Sequence, residues 1–100
     1  MTEKIRAEVS KELESLIPRY LERRRNDIEI FRAQLAAGDF EALRIGGHNL
    51  KGSGGGYGFP GLTVIGRAME TAAKAGDTGA LQAALADYVD YLQRVEVTFV

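Results

Sequence analysis

Apolar residues recurring every three or four positions constrain this chain more than any other feature. Leu13, Leu16, Ile17, Tyr20, Leu21, Ile28, Phe31 and Leu35 form one such series. Leu81, Leu85, Tyr88, Leu92 and Val95 form another, and Leu62, Ile65, Met69, Ala72 and Ala73 a third. This spacing lines one face of an α-helix. No stretch shows a persuasive period of two, so the closing run Val95 to Val100 is read as a fraying helix end. Pro18 lacks an N–H and clashes with a preceding turn, which predicts a short helix before it and a long one from about Pro18 to Ala37. Gly38-Asp39 and Gly76-Asp77 each join a left-handed stop to an N-cap, so they mark helix-to-helix joints. Pro60 suits the first position of another helix. Helices are therefore expected over Phe40 to about Tyr57, Pro60 to Ala75, and from Thr78 onward. Short loops between amphipathic helices predict an all-α fold, an antiparallel up-down four-helix bundle with a short extra N-terminal helix.

One hundred residues suit a single domain spanning 1–100. Thirteen basic and fourteen acidic residues nearly cancel, which leaves no basic field for nucleic acid. No apolar run approaches the ~18–20 residues of a membrane span, and the charged start does not read as a signal peptide. A cytoplasmic, standalone protein is expected. The absence of Cys excludes disulfides and thiol nucleophiles, and a single His leaves little for a metal site, so neither metal nor cofactor is expected. Of twelve glycines, eight fall between Gly46 and Gly61, around that one His48. Any function should be sought there.

On a helical wheel Leu43, Gly47, Leu50, Gly54 and Tyr57 face inward, with Gly46 beside them. Arg44, His48, Lys51, Gly52 and Gly55 form an outer stripe. Each helical Gly costs ~1 kcal/mol relative to Ala, so the cluster demands compensation. Inner glycines would let a neighbouring helix approach closely. Gly52 and Gly55 face outward, where they would leave the imidazole open to a bulky partner. Lys51, three residues on, brings an ammonium near the ring. An accessible imidazole beside a fixed cation is suited to accept and hold a phosphoryl group.

The string His48-Asn49-Leu50-Lys51-Gly52-Ser53 resembles the H-x-L-K-G-S signature of histidine-containing phosphotransfer (HPt) domains of bacterial phosphorelays. Tyr57-Gly58 followed by Leu62 is similar to the family's turn region. Met69 to Ala73 followed by Ala75-Gly76-Asp77 resembles its L-E-x-A-A-x-x-G-D stretch. The resemblance runs from about Leu16 to Leu92. It implies a monomeric carrier with no ATP-binding or kinase domain, hence no enzyme in its own right. Its expected partners are response-regulator receiver domains and a hybrid histidine kinase, with Mg2+ on the receiver only. Carried over, His48 is the phosphoacceptor, Lys51 steadies the phosphate and Gly52 admits the receiver. Gly54, Gly55 and Gly56 depart from the family pattern and predict a loose end to the second helix. Many members place a Gln near the phosphohistidine, and Gln34, Gln82 and Gln93 align with no such role. The rival reading is a non-catalytic helical protein-interaction adaptor in which His48 is incidental. A His-dependent hydrolase ranks third, since no nucleophile–base pair is visible.

Other motifs fail on context. Gly56 to Gly61 spells GxGxxG without the preceding strand that a dinucleotide site needs. Gly46 to Ser53 has Lys-Gly-Ser where a phosphate-binding loop needs Gly-Lys-Ser. Arg23-Arg24-Arg25, interleaved with Glu22, Asp27 and Glu29, reads as a solvated helix face. Glu70 and Asp77 are read as a solvent-exposed and a capping position.

Overall fold

A computed structural model describes residues 3–100. It contains four α-helices: α1 (Ile17–Ala36), α2 (Phe40–Tyr57), α3 (Pro60–Lys74) and α4 (Thr78–Arg94). Their turns follow the capping chemistry closely. At the end of α1, Gly38 N–H donates to Leu35 O and Asp39 N–H to Gln34 O, while Gly38 takes a φ of 67°. Gly76 and Asp77 repeat the pattern after α3, on Ala73 O and Ala72 O. These are Schellman closures, and each Asp then caps the next helix. Asp39 accepts from Ala42 N–H at 3.1 Å, and Asp77 from Ala80 N–H at 3.0 Å. The Gly-Asp pair thus stops one helix and starts another within three residues.

The termini differ from expectation. Before Pro18 the expected short helix is of 3-10 type, Lys11–Leu16, running directly into α1, and an unexpected strand, β1 (Ile5–Val9), precedes it. In place of a fraying helix end stands β2 (Val95–Phe99), paired parallel to β1 in the register Ile5↔Val95 to Val9↔Phe99. Both strands do alternate. Ala7 and Val9 are buried, and Ile5, Val95, Val97 and Phe99 pack against the core, while Arg6, Glu8, Glu96 and Thr98 face outward. Parallel strands need a long crossover, and here the entire helical bundle serves as one.

The core is a single cluster in which Leu43, Phe59, Leu62, Met69, Leu81 and Tyr88 are fully buried. Asp27, read above as wet, is half-buried and accepts from Tyr88 Oη at 3.0 Å, tying α4 to α1. α2 runs unbroken through its glycines to Tyr57, and Gly58 (φ 91°) ends it. Its end is not loose. Tyr57 stacks on Tyr20 with ring centroids 4.3 Å apart, and Gly54 lies against Leu62 and Thr63 of α3.

Candidate functional site

Two glycines set the distance between α2 and α3. A Cβ at Gly47 would stand 2.7 Å from Glu70 N and 2.8 Å from Gly66 O. One at Gly66 would stand 2.6 Å from Gly47 O and 2.9 Å from Lys51 Cα. Backbone therefore meets backbone, with no room for a methyl group on either side. Gly47 and Gly54 face α3 as the wheel predicts. Gly66 completes the contact and was not singled out in the sequence.

This close approach delivers Glu70 to the outer stripe of α2. His48 Nδ1 lies 2.9 Å from Glu70 Oε2, and Lys51 Nζ donates to Glu70 Oε1 at 2.8 Å. One carboxylate thus holds both predicted residues, one on each oxygen. Glu70 is no solvent-facing residue: its side chain is only 11% exposed, against 61% for His48. Lys51, at 30%, is half-covered and engaged. The reading of Glu70 from sequence is corrected here. The available signal was the spacing of Gly66, Glu70 and Ala73, a second stripe on α3 beside the apolar one.

The charge state of this group follows from its partners. The hydrogen bond from Lys51 holds the Glu70 carboxyl down at about 2, against the opposing effect of burial, with the His48 bond and the Lys51 and Lys74 charges adding. Glu70 is ionised at neutral pH, and an ionised carboxylate only accepts. The proton in the His48–Glu70 bond therefore sits on Nδ1. In a neutral imidazole that leaves Nε2 with a free lone pair, on the open side of the ring. A carboxylate that fixes an imidazole tautomer from behind is a familiar way to present the lone pair of the other nitrogen for reaction.

The surroundings of His48 are bare in one direction. Among the described residues, nothing beyond the adjoining backbone of α2 comes within 4 Å of the place a Cβ at Gly52, one turn along, would occupy, and the same holds at Gly56. Gly55 is less open, since its Cβ would meet Thr63 Oγ1 at 3.4 Å. Outward access is thus carried by Gly52 and Gly56. Arg44, one turn before His48, is paired with Glu41, its Nε donating at 3.0 Å. Gln34 lies on α1 and Gln82 and Gln93 on α4, and among the described residues none of them hydrogen-bonds to His48. Glu70 holds the ring instead. Among the described residues no helix is long and apolar enough to cross a membrane.

Comparison with curated proteins and with solved structures returns no match. Comparison with protein families does: the family model of the Hpt domain matches residues 15–97. That span takes in all four helices, His48 with its neighbours, and the α3 segment that supplies Glu70. The chain belongs to the Hpt domain family, whose members carry out phosphotransfer in two-component signalling.

Proposed function

We propose that this chain is a cytoplasmic phosphorelay intermediate, an antiparallel up-down bundle carrying a phosphoryl group on His48 between aspartates of receiver domains. The Nε2 lone pair attacks phosphorus of an aspartyl phosphate. The P–O bond to the aspartate breaks, and the carboxylate leaves with the electron pair. Nδ1 keeps its proton, so the product is an Nε2-phosphorylated imidazolium whose positive charge faces Glu70. That proton also keeps the ring a good leaving group for onward transfer to the next aspartate. Lys51 supplies a cation toward the phosphoryl oxygens, and any Mg2+ belongs to the receiver. The chain is a carrier and acts with a hybrid histidine kinase and receivers.

The carrying observation is the Nδ1–Glu70 bond behind a ring left 61% exposed. Incubation with phosphorylated receiver domains, followed by detection of an acid-labile, base-stable phosphate on His48, tests the proposal. Glu70→Gln should slow that transfer by at least about 10–100-fold, the cost of losing a carboxylate that orients a metal-bound histidine. Ring 15N shifts should show Nδ1–H in the parent and a mixed tautomer in the variant. An unchanged rate with an unchanged tautomer would remove Glu70 from the mechanism.

Gly52→Gln separates stability from access. The open space at Gly52 and the better propensity of Gln predict a helix more stable by up to ~1 kcal/mol. The added side chain lies over the approach to His48 and should slow transfer by on the order of 100-fold, as ~1 Å displacements of reacting atoms do. Lys51→Ala is expected to leave receiver binding intact and lower the rate only. Receiver titrations of both variants, read for binding and for rate, check this. Wild-type behaviour of Gly52→Gln would deny the glycine its access role.

A further inference from the structure

The three consecutive arginines of α1 do not form one solvated face. Arg25 turns toward α4, beside Ile28 and Val89. Arg23 and Arg24 turn toward α2 and join Arg19 around an open cavity of about 430 Å3, whose walls include Ser15, Ser53 and Tyr57. Among the described residues no carboxylate lines it. Arg24 is fixed in place: its Nε lies 2.8 Å from Asp27 Oδ2, Nη1 donates to Ser53 Oγ at 3.4 Å, and the guanidinium sits 4.9 Å above the Tyr20 ring centre. Tyr20 Oη and Ser53 Oγ are themselves hydrogen-bonded at 2.9 Å. Arg19 and Arg23 are exposed, and neither has an ion pair or side-chain hydrogen bond among the described residues. They stand four apart on one helix, where like charges repel. A pocket walled by three guanidiniums, two of them uncommitted, is built for an anion.

Its position says which anion. Ser53 lies five residues beyond His48 on α2, about 7–8 Å along the axis and about 140° around it. Between them the surface is formed by the open positions Gly52 and Gly56. A partner footprint of ~800 Å2 is roughly 30 Å across, wide enough for a protein centred on His48 to reach around the exposed face of α2 to this cavity. A receiver whose aspartate works through Mg2+ must surround it with oxygen ligands, carboxylates among them, and so presents an acidic face.

We infer that the Arg19–Arg23–Arg24 cavity is a docking site for acidic side chains at the rim of the receiver's active site. The inference rests on the phosphorelay reading of His48. Charges at the edge of an interface act on encounter and on partner choice more than on the chemical step. Arg24 organises the pocket through Asp27 and Ser53, and Arg19 and Arg23 supply the free charge.

The test is Arg19→Gln/Arg23→Gln in the full chain, with Arg24 kept. With a phosphorylated receiver at about 10 mM salt, KM should rise about tenfold while the rate at saturation holds. The gap should close near 1 M salt, where the screening length falls from about 30 to about 3 Å. Labelling of His48 by phosphoramidate, a small phosphodonor that needs no docking, should match the parent. An unchanged KM overturns the inference. So does a fall in the saturating rate at constant KM, or a parallel fall in phosphoramidate labelling. If the unaltered chain accepts no phosphoryl group from any receiver, the phosphorelay reading itself fails and takes the docking site with it.

Discussion

His48→Gln is expected to abolish phosphoryl acceptance from a phosphorylated receiver while leaving the fold intact. The chain has no second His and no Cys, so no other side chain offers an equivalent nucleophile. His48 projects from the middle of α2 with its ring mostly in solvent, and among the described residues its one side-chain polar contact is to Glu70. The Lys51–Glu70 pair remains when the ring is replaced, so Glu70 keeps a partner. Changes at exposed positions of this kind usually move stability by no more than ~0.5 kcal/mol. The measurement combines receiver-dependent labelling with a thermal melt. An acid-labile, base-stable phosphate persisting on the variant would place the acceptor elsewhere. An adaptor would behave differently: it would bind partners equally well with or without His48 and take no label in either form.

Gly66→Ala is expected to be the most damaging single methyl group in this chain. The new Cβ would lie 2.6 Å from Gly47 O and 2.9 Å from Lys51 Cα, and both are helix backbone atoms that cannot swing aside. The helices must separate. Overpacking of this kind costs ~1–3 kcal/mol and sometimes more, against ~1 kcal/mol returned by the better helix propensity of Ala. A net loss of up to about 2 kcal/mol lowers the midpoint of a 100-residue domain by up to roughly 10 °C. Separation also draws Glu70 away from His48, so transfer should slow even in the folded fraction. Gly52→Ala is the matched control. It adds the same atom to the same type of helix with nothing within 4 Å, and should raise the midpoint. Thermal unfolding of the two variants side by side is decisive, and equal responses would mean that α2 and α3 are not held by glycine contact.

The contrast between those two glycines shows where sequence reasoning reached. The helical wheel separated inward Gly47 and Gly54 from outward Gly52, because 3.6-residue periodicity is a property of one helix alone. It could not rank the outward glycines, and Gly55 turned out to face Thr63. Nor could it see that Gly66 completes the α2–α3 contact, since that depends on which residue of one helix meets which residue of another.

Local chemistry determined the rest of what was legible. Asp39 and Asp77 cap helices through hydrogen bonds that span three residues, so the Gly-Asp pairs announce their joints without help from the fold. His48, Lys51 and Gly52 lie within five positions, and their shared face follows from helix geometry. The tertiary structure decided everything that joins distant segments. Glu70 meets His48 across 22 positions of sequence and Lys51 across 19, and a glutamate on α3 reads the same whether it faces water or a histidine. Ile5 to Val9 and Val95 to Phe99 alternate too briefly to declare themselves as strands, and each becomes one only when the bundle brings the other alongside. The arginines of α1 parted into two groups because α2 and α4 flank that helix on different sides. Periodicity and capping are written within a turn or two of backbone, whereas a pairing energy exists only once two surfaces have met.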